Sequence, residues 1–318
     1  FYDTLEDGYK VVFAHEFFHL MQTNVLLAVG QPANRWHSTF IEAQATFASS
    51  LQYPELELAP KSAYMRAANR FLANRLNTSY NELLKDSDHP YDATLYWRFL
   101  YDQYQDMEIL RFALKEMAQE YGPDLVSAIS GVMDRVFVRF DGPYHDFDES
   151  LIAFARAKYA LRLENGRCAD RGLAQCNGVY FDPGNRYVRP RLEAKRHYDG
   201  GPLTINGAIP ASYGMDFVEI GLNAVTPEQP LVIRFQAEEP TSQFSIQVWR
   251  LAPGGKAPRA ITLEPEIIRE TLDGAQVYLI PRVDTTAHDQ LALIIARLDP
   301  NEVKGPDGNY IITVTPSH

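Results

Sequence analysis

Through the first half of the chain, apolar residues recur at three- and four-residue spacing, the period of an α-helix with one buried face. TLEDGYKVVFAHEFFHLMQTNVLLAV carries the pattern from Thr4, which stands where an N-cap would, to the stop signal Gly30-Gln31-Pro32. STFIEAQATFASSLQ predicts a second helix, with Ser38 as its N-cap and Pro54 beyond its end, and SAYMRAANRFLANRL a third. Residues 92–104, 107–121, 123–136 and 148–163 supply four more, separated by short Gly, Pro and Asn breaks. After Gly166 the period is lost. Residues 166–201, rich in Gly, Pro, Asn and Arg, read as an irregular linker. From Pro202 onward β-type runs take over: PLTINGAI, DFVEIGL, PLVIRFQAE, FSIQVWRLA, AQVYLIPRV, QLALIIARL and NYIITVTP, set apart by turn clusters such as APGGKAP and GPDG. Short strands at this spacing predict a β-sandwich of immunoglobulin-like or jelly-roll type. The expected fold class is therefore α+β and multidomain: a helical domain over 1–165, the linker over 166–201, and an all-β sandwich over 202–318.

Composition narrows the function. The 318 residues are 46% hydrophobic, enough for a large core and about two domains. The net charge is -11 and no Lys/Arg cluster stands out, which argues against a nucleic-acid partner or an anionic membrane surface. No apolar run approaches the ~18 residues of a transmembrane helix. The two cysteines, Cys168 and Cys176, lie close together in GRCADRGLAQCNG. Their spacing suits a small disulfide ring and hence a secreted or cell-surface protein; two neighbouring free thiols are the alternative.

The candidate chemistry sits in the first helix, in AHEFFHLMQ. His15 and His19 are four residues apart and so share a helix face, where both imidazoles can reach one ion. Zinc suits such nitrogen ligands. Glu16 is rotated about 100° from His15, an offset that aims its carboxylate at a water on the zinc rather than at the zinc. The metal lowers the pKa of that water towards ~7 and the carboxylate takes its proton as the water attacks. Apolar neighbours (Val11, Val12, Phe13, Phe17, Phe18 and Leu20) predict a buried motif, in which Glu16 would need a partner. A catalytic zinc wants a third protein ligand. Glu42 lies one turn and one return helix downstream, among Ala43, Ala45 and Ala48, which are small enough for two helices to approach closely. His37 is the rival third ligand.

HEFFH followed by FIEAQATFAS resembles the gluzincin zinc metallopeptidases, the class of thermolysin and aminopeptidase N, and is closer to the aminopeptidase-like branch. Phe40 matches the aromatic position of that branch's W-x-x-E-G-x-A segment, and Ala43 replaces its Gly. The resemblance implies that His15, His19 and Glu42 are ligands to one Zn²⁺ per chain, that Glu16 is the general base, and that Thr46 supports a ligand histidine. HPYDATLYWRFLYDQY is similar to a second segment of the family, and by that likeness Tyr91 donates a hydrogen bond to the oxyanion; His89 is an alternative donor, and a packing or capping role for Tyr91 stays open. The family carries a β-sheet lobe ahead of its HExxH helix. Only 14 residues precede His15 here, so an upstream segment, a partner chain or a reduced cleft is implied. No Gly-Ala-Met-Glu-Asn type segment is present to hold a substrate α-amine, so exopeptidase action is not implied. The expected function is zinc-dependent hydrolysis of a peptide or protein substrate. The competing expectations are an inactive zinc-binding relative that works as a binding or scaffold module through its sandwich, and a zinc hydrolase acting on something other than peptides.

Overall fold

The computed structural model describes residues 4–30, 38–57, 62–73, 91, 93–119, 125–160, 190–209, 213–222, 230–239, 242–252, 259–263, 277–283, 290–298 and 308–316. Cys168, Cys176, His37 and His89 lie outside the described residues. Two compact units divide the chain, the second comprising described residues 155–160 and those from Pro190 onward.

The first unit is helical: α1 (Leu5–Ala28), α2 (Ser38–Gln52), α3 (Pro54–Glu57), α4 (Ala63–Ala73), α5 (Thr94–Tyr104), α6 (Glu108–Gln119), α7 (Leu125–Arg139) and the start of α8 (Phe147–Ala160). Thr4 caps α1 by accepting the Asp7 N–H at 3.1 Å, and Glu6 and Asp7 sit in the first turn, where negative charge meets the positive end of the helix dipole. Gly30 ends it at φ +75°, a conformation open to glycine without steric cost. Helix α5 starts two residues later than its sequence pattern predicts, because Thr94 N–H bonds to the Tyr91 carbonyl in a turn before the helix proper. Pro54 does not merely follow α2; it occupies the first position of α3, where its missing N–H is no loss.

Helix α2 is buried almost all round: Ala43, Gln44, Ala45, Thr46, Phe47, Ser49 and Ser50 are all inside. The serines satisfy their hydroxyls locally, Ser49 Oγ on the Thr46 carbonyl at 2.9 Å and Ser50 Oγ on that of Phe47 at 2.6 Å. Its alanines let α1 pack on one side and α5 on another. Phe47 meets Tyr101 of α5 with ring centroids 5.6 Å apart. Helix α5 is in turn held by Tyr96, Trp97 and Phe99, which are fully buried, and by a 2.7 Å hydrogen bond between the Tyr96 and Ser150 hydroxyls.

Helix α1 departs from expectation. It packs through one face, where Leu26 joins Leu114 and Ala118 of α6. The opposite stripe is apolar yet open to solvent: Leu5, Tyr9, Phe13, Phe17, Leu20 and Leu27 are each more than half exposed. Glu16 is exposed within this stripe. The flanking apolar residues therefore do not bury HEFFH, and Glu16 needs no buried partner. An apolar period all round a helix predicts burial only when the fold supplies a second packing surface. Replacing Phe13 and Phe17 together by Ser should leave stability within roughly 0.5 kcal/mol per site and reduce binding of a hydrophobic dye such as ANS; a large fall in Tm would show that the stripe is packed.

The second unit contains two sheets. Its strands are β1 (Ala194–His197), β2 (Leu203–Ala208), β3 (Met215–Gly221), β4 (Leu231–Ala237), β5 (Phe244–Ala252), β6 (Arg259–Leu263), β7 (Val277–Val283), β8 (Gln290–Arg297) and β9 (Asn309–Pro316). One sheet runs β1-β3-β8-β5-β6 and the other β2-β9-β4-β7. All pairings are antiparallel except β1 with β3. A single apolar cluster takes Val218, Ile246 and Leu293 from the first sheet and Phe235, Ile312 and Val314 from the second. Strands β4 and β9 alternate buried and half-buried positions, as one-sided strands do. Strands β3 and β8 are buried on both faces. Tyr159 of α8 covers the outer face, its ring centroid 5.7 Å from those of Phe217 (tilted) and Trp249 (edge-to-face), and donates to Glu219 at 3.2 Å. The seven β-type runs all form strands. Two strands lie where no run was identified, at the two edges of one sheet: β1, inside the supposed linker, and β6, directly after the APGGKAP turn cluster. The sequence AKRH has no strand pattern of its own, and its pairing with β3 recruits it.

Asp216 is fully buried on β3 and accepts the Tyr310 hydroxyl at 2.7 Å through Oδ2, while its Oδ1 has no hydrogen-bond partner among the described residues. Burial raises its pKa to about 7 against the Tyr310 hydrogen bond, with Glu193 adding and Lys158 opposing. Burial likewise lowers Lys158 to about 7, opposed by Asp216. The folded carboxyl thus keeps a proton that the unfolded chain loses near its ordinary 3.8, so raising the pH from there towards 7 destabilises this unit. From 7 to the ordinary 10.5 of lysine the unfolded chain binds the extra proton, and stability recovers. Asp216→Asn should remove the acid-side loss, which thermal unfolding between pH 4 and 7 would detect; an unchanged slope would refute it.

Among the described residues no helix is long and apolar enough to cross a membrane.

Candidate metal centre

The α1–α2 packing brings together three residues that are distant in sequence. His15 Nε2 lies 3.0 Å from Glu42 Oε2, His19 Nε2 lies 3.3 Å from the same oxygen, and the two Nε2 atoms are 3.0 Å apart. Among the described residues this is the one group of three or more His, Cys, Asp or Glu placed to hold a metal ion. A tetrahedral zinc with bonds of 2.0–2.1 Å sets its ligand atoms roughly 3.3 Å apart, so three donors at these separations fit such an ion without rearrangement. The donor types, two imidazoles and one carboxylate, also suit it. Side-chain exposures of 16%, 22% and 26% leave the cluster partly open, so a solvent molecule or substrate can reach a fourth position.

The electrostatics support anionic Glu42. Burial alone would push its carboxyl up; the hydrogen bonds and charges of His15 and His19 reverse this and hold it at about 2. Its hydrogen bond raises His19 against burial, and Gln22 and the charges of Glu42 and Glu16 add to the rise.

Tyr91 is beside the triad. Its ring lies 6.1 Å from that of His15, at 55°, and it is 39% exposed. Burial, then the charges of Glu42 and Glu16, raise its pKa, which keeps the phenol protonated and able to donate. Glu16 itself is exposed and is not one of the three convergent donors; its charge adds to the raised pKa of His19 and of Tyr91. Thr46 Oγ1 stands 3.5 Å from His15 Nδ1, at the outer limit of a hydrogen bond.

Two residues at the site carry no motif. Gln22 and Gln44 are buried, and Gln22 Oε1 meets His19 Nδ1 at 2.8 Å. The signal for Gln22 was available: a polar residue three positions after His19, on the same face as a ligand.

No family model matches the chain, and no curated protein matches it. Several solved structures are similar over part of it, including the following two. One is CorA, a surface-associated copper-binding protein important in copper acquisition by Methylomicrobium album BG8, with 10% identity over 40% of this chain and 98% of that one and a TM-score of 0.25. The other is PliG of Salmonella Typhimurium, a periplasmic inhibitor of g-type lysozyme, with 10% identity over 39% and 98% and a TM-score of 0.21. Likenesses this weak carry neither fold nor function over to this chain.

Proposed function

We propose that this protein is a zinc-dependent peptidase of gluzincin-like design. The observation that carries the reading is the convergence of His15, His19 and Glu42 at 3.0–3.3 Å, with Glu16 at the next position on the helix. His15 and His19 would hold the cation through Nε2 and Glu42 through Oε2. When bound, the cation supplies Lewis acidity, polarising a peptide carbonyl and acidifying a water molecule. Glu16 takes the proton of the attacking water and passes it to the departing amine. Its exposure suits this task, since it must reach both water and substrate. Tyr91 donates a hydrogen bond to the oxygen of the polarised carbonyl as negative charge develops there, a contribution of about 3 kcal/mol for comparable donors. The intact Glu16 favours an enzyme over an inactive zinc-binding relative, because metal binding does not require that residue. A secreted or cell-surface setting belongs to the same reading and rests on the spacing of Cys168 and Cys176 in the sequence.

The test is metal content by elemental analysis together with cleavage of casein or a peptide library, for the wild type and Glu16→Gln. One zinc per chain in both, with cleavage by the wild type alone, is the expected result. Zinc in both with cleavage by neither would favour the binding-module reading.

A further inference from the structure

We infer that Gln22 and Gln44 are positioning residues that fix the ring of His19, so that its Nε2 lone pair is presented to a divalent cation. The inference rests on the reading of the triad as a metal site. Gln22 Nε2 donates to the Ile41 carbonyl at 3.2 Å and to Gln44 Oε1 at 3.1 Å. Gln44 Nε2 donates to the Leu110 carbonyl at 3.3 Å. A backbone carbonyl can only accept, so each of these contacts dictates which end of its amide is the nitrogen. Neither glutamine can be flipped without placing oxygen against oxygen. Gln22 Oε1 must therefore face His19, and being an acceptor it requires the proton on Nδ1. The neutral ring then has its lone pair on Nε2, the atom that meets His15 and Glu42.

The relay runs one way, from the backbone of α6 through α2 to α1. His15 has no such constraint. Among the described residues its Nδ1 meets only the Thr46 hydroxyl, at 3.5 Å, a group that can either donate or accept. The two ligand histidines are thus held differently, and His19 carries the pre-formed half of the site. Loss of an outer hydrogen bond to a ligand histidine lowers metal affinity by roughly 10–100-fold. Gln22→Met, which keeps length and removes the acceptor, should fall in that range. Gln44→Met should cost less, because Ile41 still orients Gln22. A merely structural role predicts the opposite order, since Gln44 is the more completely buried of the two.

The experiment is zinc affinity by chelator competition for the wild type, Gln22→Met and Gln44→Met, with Tm measured on each metal-free protein. A ¹⁵N spectrum of the imidazoles of the wild type accompanies it and needs no variant. Expected are a larger affinity loss for Gln22→Met than for Gln44→Met, and a slowly exchanging Nδ1–H on His19. Zinc affinity of Gln22→Met within threefold of wild type, affinity losses that follow the Tm losses, or a His19 ring protonated only on Nε2 in the metal-free protein would each overturn the inference. A wild type that binds no zinc overturns the metal reading itself, before any variant is compared.

Discussion

Glu16→Gln is expected to lower peptide cleavage by roughly 10²–10⁴-fold, the usual contribution of a general acid–base group, while leaving one zinc per chain. The separation of the two effects follows from position. Glu16 is exposed on α1 and is not among the three convergent donors. Gln keeps its size and removes its charge and basicity. Stability should change by no more than about 0.5 kcal/mol, as for other exposed sites. Because the Glu16 charge contributes to the raised pKa of both His19 and Tyr91, each should move down slightly in the variant. Cleavage at the wild-type rate would remove Glu16 from the chemistry. Simultaneous loss of zinc would assign it to the metal shell instead.

Glu42→Gln is expected to weaken zinc binding by more than ~100-fold, beyond the range of a lost outer hydrogen bond, and to remove a pH-dependent contribution to the stability of the metal-free protein. The hydrogen bond with Glu42 is the largest cause of the raised His19 pKa. A raised histidine adds stability that is complete below its ordinary 6.5 and is lost as the pH rises through its folded value. The depressed Glu42 adds stability that is present above its ordinary 4.5 and is lost as the pH falls towards about 2. Both contributions are in force between about pH 4.5 and 6.5, and the Tm gap between wild type and variant should be widest there. Zinc behaves oppositely: protons compete for His19 and Glu42, so affinity should fall with acidification. A Tm gap that narrows neither above about pH 6.5 nor below about pH 4.5 would rule out the pair as the source of either effect.

Helical period located α1, α2 and α4 to α8 because each buries at least one face, and β-type runs located seven strands because each lies in a sheet buried on at least one face. The HEFFH spacing was enough to put two imidazoles on one side of a helix, since helix geometry alone determines that. Strand β1 was illegible because AKRH has no strand pattern and edge pairing recruits it, and β6 was missed because RAITL is only five residues long. The exposed stripe of α1 was illegible too, because a periodicity records which residues are apolar and not whether anything packs against them.

The chain's local chemistry by itself determined the helices, most of the strands, and a pair of histidines with a carboxylate between them in sequence. Only the tertiary structure decided that Glu42 closes on that pair, 27 residues away from His15, and that Gln22 and Gln44 orient His19. Both depend on the distance at which α2 packs against α1, which the buried alanines of α2 and its contact with α5 set together. Spacing along one helix constrains angles within it, whereas the meeting of side chains from two helices is a property of their packing.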